Sequence, residues 1–160
     1  MRKIIGLLVF ASVVLLGDST KEIQMYSSPT CGCCEEWAKY MRTKGYQVKS
    51  HKDDELFMKV KEDFKIVPKY QSCHTGIIEK NGVQYAIEGH VPADAVEWLL
   101  ENQPKEIIGV STPGMPLGSP GMEQGDDYEE YPVVLMTQGG GYKVFGIYKG
   151  EKKLKSGNVK

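Results

Sequence analysis

Three cysteines within four residues, Cys31, Cys33 and Cys34, form a C-x-C-C cluster, and a fourth, Cys73, is followed directly by His74. The cluster stands where a short strand pattern ends at Pro29 and a helical pattern begins. Unpaired backbone N–H groups and the positive end of a helix dipole favour thiolate over thiol at such a junction. Thiolate is the form that attacks disulfides and the form that binds metal. Cys31 and Cys34 alone are a C-x-x-C pair, a thiol-disulfide redox motif when carried on a β-α-β frame. Cys33 does not belong to that layout. A third thiol between the two scrambles a dithiol cycle, whereas bridging thiolates can each serve two soft metal ions.

Further soft donors lie down the chain. An isolated histidine is more often a core or surface imidazole than a ligand, and His51 is read as surface. His74 gains by its place beside Cys73, and His90 stands just ahead of a helix start at Pro92. Met115 and Met122 belong to two copies of Pro-Gly-Met, at 113–115 and 120–122, in a loop with no helical or strand face to call for apolar residues. Packing down as a lid is the plain alternative for this pair, while Met25, Met41, Met58 and Met136 read as core filler. Thiolate, imidazole and thioether together select Cu(I) over Mg, Ca or Mn. Two structural disulfides are a third reading of the cysteines, made awkward by the adjacency of Cys33 and Cys34.

The elements that must position these residues follow from periodicity and punctuation. Glu22 to Ser28 alternates as a strand. The helix after the cysteines carries Trp37, Tyr40 and Met41 at helical spacing and stops at Gly45. Tyr46 to His51 is a second strand, and Asp53 and Asp54 start a helix to Phe64 with Leu56, Val60 and Phe64 on its inner face. Val67-Pro68 leads into a third strand reaching Cys73. Residues 76–88 form a hairpin about Asn81-Gly82. A helix over 93–102 ends before Pro104, and 111–125 is an irregular Gly/Pro-rich loop. The stretches 132–137 and 142–148 read as a terminal hairpin. The fold class is therefore α/β, a mixed central sheet flanked by helices with a C-terminal β-hairpin.

Composition sets the limits. The 160 residues make one domain, and 20 Lys+Arg against 21 Asp+Glu leave a net charge of −1, a poor basis for binding nucleic acid or an anionic membrane. Met1-Arg2-Lys3 followed by an uncharged run from Ile4 to Gly17 reads as a signal peptide, or an N-terminal anchor if uncleaved, over residues 1–19. The run is short for a full span of a bilayer. Residues 20–150 then form the functional domain and 151–160 a flexible Lys-rich tail. Export places the cysteines in an oxidising space.

The motifs Ser28-Pro29-Thr30-Cys31-Gly32-Cys33-Cys34-Glu35-Glu36-Trp37, Val67-Pro68, Ser72-Cys73-His74-Thr75, Glu88-Gly89-His90-Val91-Pro92-Ala93, Pro113-Gly114-Met115-Pro116 and Gly118-Ser119-Pro120-Gly121-Met122-Glu123 resemble those of the CopG-type periplasmic copper-resistance proteins, over roughly residues 22–148. The resemblance implies a thioredoxin-like fold, copper held through the cysteines, and a periplasmic place in copper detoxification or copper redox chemistry. The expected site is Cu(I), several ions per chain, on Cys31, Cys33, Cys34 and Cys73 with His74, His90, Met115 and Met122. The expected partners are copper ions and components of copper export or oxidation. The rival is a thiol-disulfide oxidoreductase attacking through Cys31 and resolving through Cys34.

Overall fold

The computed structural model describes residues 21–158; the expected leader lies outside them. The chain runs β1 (Glu22–Ser27), α1 (Gly32–Thr43), β2 (Gln47–Lys52), α2 (Asp54–Asp63), a single 3-10 turn (Pro68–Tyr70), β3 (His74–Lys80), β4 (Val83–Glu88), α3 (Ala93–Asn102), β5 (Ile107–Ser111), β6 (Glu130–Thr137), β7 (Tyr142–Lys149) and β8 (Lys152–Ser156). The strands form one sheet in the order β2-β1-β3-β4-β5-β6-β7-β8. Parallel pairing joins β1 to β2 and β4 to β5, and the other neighbours are antiparallel. This is a mixed α/β architecture.

Alternation along the strands divides the core between the two faces of the sheet. Tyr85 and Ile87 of β4, with Val133 and Leu135 of β6, join Trp37, Ala38 and Met41 of α1 and Val96, Leu99 and Leu100 of α3 in one cluster. Ala86, Val134 and Met136, one residue out of phase, pack with Ile66 and Tyr70 in a second. Trp37 is wholly buried and its indole N–H donates to the Val91 carbonyl at 2.9 Å, which ties α1 to the segment entering α3. The Tyr148 hydroxyl donates to the Asp94 carboxylate, joining the C-terminal strands to α3.

Register brings the chemistry to one end of the sheet. Ser27, the last residue of β1, pairs with His74, the first of β3, and Thr75 pairs with Glu88, the last of β4. Glu88 in turn pairs with Ser111, the last of β5. The cysteine loop, the Cys73-His74 step, His90 and the loop carrying both methionines all leave the sheet at that end.

Several local expectations are corrected. No strand leads to Cys73; a 3-10 turn does, because Pro68 opens the turn and β3 begins only at His74. β5 is an unforeseen strand. Residues 152–156, read as frayed tail, pair with β7 as an edge strand, since backbone pairing does not depend on what solvent-facing lysines carry. On α2, Leu56 and Met58 are exposed and not core, and the fully buried residue of that helix is Lys61. Asp53 caps this helix, accepting from the Leu56 N–H at 2.9 Å, a bond worth about 1 kcal/mol in such positions.

Candidate metal centre

Cys31 occupies the N-cap position of α1 in extended backbone and caps nothing with its side chain, while Cys33 and Cys34 stand in the first helical turn. A helix start therefore presents three sulfurs to one place. Cys31 and Cys34 are joined in a disulfide, and Cys33 and Cys73 are free. Cys33 Sγ lies 3.6 Å from Cys31 Sγ and 3.9 Å from Cys73 Sγ, and Cys34 Sγ is 3.5 Å from the Cys73 carbonyl. Cys73 Sγ is 3.1 Å from His90 Nε2 and 3.5 Å from His74 Nδ1. The sulfurs of Cys31, Cys33, Cys34 and Cys73 lie within 4.8 Å of one another, as do single donor atoms of Cys73, His74 and His90. Cys73 belongs to both groups and links them.

The imidazoles are prepared by their surroundings. His90 Nδ1 donates to the Pro120 carbonyl at 2.8 Å, so the proton of the neutral ring sits there and the Nε2 lone pair faces Cys73. His74 is wholly buried, packed on Trp37 with ring centroids 4.5 Å apart and edge-on to His90 at 5.0 Å. Its Nε2 is buried without a hydrogen-bond partner. The other ring nitrogen, Nδ1, faces Cys73 Sγ, and an imidazole beside a free thiol is a donor pair suited to a soft ion. Burial, reinforced by His90 and Lys61, holds His74 well below the ordinary 6.5, and burial lowers His90 as well. Burial, then the neighbouring Cys33, pushes the Cys73 thiol up to about 12.

Both rings are thus neutral in the folded chain, whereas in the unfolded chain they take up protons near pH 6.5. Protons then favour the unfolded state, so the stability this burial confers is present above pH 6.5 and is lost as pH falls below it. The thermal midpoint of the metal-free protein is expected to drop between about pH 6.5 and 5, with a shallower drop in His74→Phe, as fluorescence-monitored melting would show.

Of the methionines, Met115 is exposed and Met122 half-buried, both on a loop held over the site. The Ser72 hydroxyl donates to the Gly114 carbonyl, and Pro120 receives His90. Gly121 has a positive φ of 82° and lies so close to α1 that a Cβ there would overlap the Trp37 backbone. Gly121→Ala is therefore expected to lift the loop, free His90 Nδ1 and weaken soft-metal affinity by roughly tenfold, measured by competition with a chromophoric chelator. His51, read as surface, stacks half-buried on Tyr26 and bonds Gln24, away from the site.

A motif reading of the sequence does not reach what lies behind Cys73. Lys61 and Glu88 form a buried ion pair there. The Glu88 carboxylate accepts from the Ser72 N–H at 2.6 Å and the Thr75 hydroxyl at 2.7 Å. Glu88 adjoins the quoted Gly89-His90 motif, but a lysine inside a polar helix gives no signal of burial.

The site has relatives in known proteins. Two solved structures described as copper resistance protein CopG, in Form 1 and Form 2, match the chain with TM-scores of 0.72 and 0.71 at 36% and 35% identity. The alignments cover 81% and 79% of this chain and 98% and 97% of those. This chain belongs to the CopG-type copper-resistance family. A family described as a protein of unknown function, DUF411, matches residues 70–122, which hold the Cys73-His74 step, His90 and both Pro-Gly-Met segments of this CopG-type chain. No curated protein matches it. The Cys/His cluster is compatible with metal binding, and copper is the metal its CopG relatives name. Among the described residues of this family member no helix is long and apolar enough to cross a membrane.

Proposed function

We propose that the chain is an exported, periplasmic copper-binding protein of thioredoxin-like fold that holds Cu(I) in copper resistance as a polynuclear thiolate cluster. Cys31, Cys33, Cys34 and Cys73 supply the sulfurs, His74 and His90 complete the set on the sheet side, and Met115 and Met122 close it from the loop. The observation that carries this reading is the convergence of four sulfurs and two neutral imidazoles at one end of the sheet. Four thiolates exceed what one two- or three-coordinate Cu(I) needs, so shared sulfurs and several ions follow. Sulfur-bridged coppers can exchange electrons, and the same site therefore supports Cu(I)/Cu(II) oxidoreductase activity or delivery to copper export or oxidase components. Anaerobic titration of the fully reduced protein with Cu(I), read as metal per chain, tests this: several tightly held coppers are expected, and one weakly held ion defeats it.

The Cys31–Cys34 disulfide favours a second reading, thiol-disulfide exchange. Cys31 is half-exposed and Cys34 wholly buried, the asymmetry that an attacking and a resolving thiol require. On this reading the metal-free reduced protein reduces insulin, Cys31→Ser abolishes the activity, and Cys33→Ser and Cys73→Ser retain it. Loss in all three variants, or no activity in any, rejects it.

A further inference from the structure

Lys61 reaches from α2 into the interior immediately behind the Cys73-His74 step. Its ammonium donates to Glu88 Oε1, to Thr75 Oγ1 at 3.1 Å and to the Ser72 carbonyl at 3.2 Å, and lies 4.4 Å from the Phe57 ring. Glu88 accepts from the Ser72 N–H through Oε1 and from the Thr75 hydroxyl through Oε2. Apart from the bond between them, every side-chain hydrogen bond of the pair ends on Ser72 or Thr75, the residues that bracket Cys73 and His74. Gly89 leaves room for this bracket: φ is +74°, and a Cβ there would lie 2.5 Å from Ser72 Oγ and 2.8 Å from the Thr112 carbonyl.

An ion pair withdrawn from water gains little for folding beyond what an apolar pair of similar volume would give, because desolvation offsets the attraction. Neither member can be lost alone without leaving a buried charge. Pinning α2 to the sheet would not require charge, whereas fixing a short backbone segment from both ends does require donors and acceptors of this reach.

We propose that Lys61 and Glu88 are positioning residues for the copper site, holding the Ser72–Thr75 backbone so that Cys73 and His74 meet His90 at metal-binding distance. This inference rests on the copper reading above. It assigns the pair a role through Cys73 and His74, not contact with the metal.

The test is the double variant Lys61→Met/Glu88→Gln in the otherwise intact chain, which removes both charges and the Lys61 donors to the Ser72 carbonyl and Thr75 hydroxyl, and leaves the Ser72 N–H only the weaker bond to a neutral amide. Three readouts are compared with wild type: the thermal midpoint, Cu(I) affinity of the reduced protein by chelator competition, and hydrogen exchange of the Ser72 amide in metal-free protein. The expected result is a midpoint no lower than wild type, Cu(I) affinity down by roughly ten- to a hundredfold, and Ser72 exchange faster by about tenfold with central β3 amides unchanged. A folded variant with affinity within about twofold of wild type, or with unchanged Ser72 exchange, overturns the proposal. Should the double variant not fold, Thr75→Val cuts the hold of the pair on the far end of the segment without leaving an unpaired charge; Cu(I) affinity is then expected to fall by about tenfold, and affinity within about twofold of wild type overturns the proposal. Wild type that takes up no copper is a failure of the copper reading, and the exchange comparison, made without metal, still decides whether the pair holds the segment.

Discussion

Replacing Cys73 by Ser is expected to collapse copper uptake more completely than any other single change at the site. Cys73 is the one residue common to the sulfur group and to the Cys73, His74 and His90 group, at 3.9 Å from Cys33 Sγ and 3.1 Å from His90 Nε2. A structural four-ligand zinc site binds with about 10–16 kcal/mol; on that scale one thiolate accounts for about 3 kcal/mol, and losing it costs roughly a hundredfold in affinity. Loss of the link between the two groups adds to this, and fewer ions per chain are expected as well. Chelator competition and metal analysis on Cys73→Ser beside wild type measure both. Cys33→Ser, at 3.6 Å from Cys31 and free in the structure, is expected to lower stoichiometry while leaving one ion on Cys73 and His90. The loss is not a folding defect: Cys73 is only partly buried, and serine keeps its volume nearly unchanged.

Copper capacity should also depend on the oxidation state of the protein. With Cys31 and Cys34 joined, two of the four sulfurs are withdrawn as thiolates, and Cys33, Cys73, His74 and His90 remain. That set suffices for one Cu(I). Opening the disulfide takes two electrons and two protons and yields two thiols, whose protons leave as metal binds. The disulfide form is accordingly expected to take up one copper per chain and the dithiol-reduced form several. The measurement is metal per chain after anaerobic loading of each form, with free thiols counted in parallel. Equal loading of the two forms would place the copper away from Cys31 and Cys34.

How far the sequence foretold this arrangement differs from element to element. The entry into α1, the Asn81-Gly82 turn, with φ of 54° and 77°, and the stop of α3 before Pro104 were legible because each is set by local backbone chemistry. Convergence of the cysteine loop with Cys73 and His90 was legible through motifs. Their distances depend on register, in particular Ser27 opposite His74 and Thr75 opposite Glu88, which no motif states. β5 escaped because the five residues Ile107–Ser111, between Pro104 and a Gly/Pro loop, are too few and too irregular to show a period of their own. β8 escaped because an edge strand needs a partner on one side only, and its lysines, which discourage further pairing, look like a solvated end. On α2 the apolar spacing pointed to Leu56 as an inner residue. The sheet end instead offers Glu88, and a charged partner turned Lys61 inward. Hydrophobic periodicity is blind to a buried ion pair.

The polynuclear thiolate cluster is the central claim, and X-ray absorption at the copper edge of the fully reduced, Cu(I)-loaded protein tests it most directly. The account predicts a sulfur-dominated shell together with a short copper–copper vector, the latter lost in Cys73→Ser. A shell of one sulfur with nitrogen or oxygen and no copper–copper vector at full loading would contradict it.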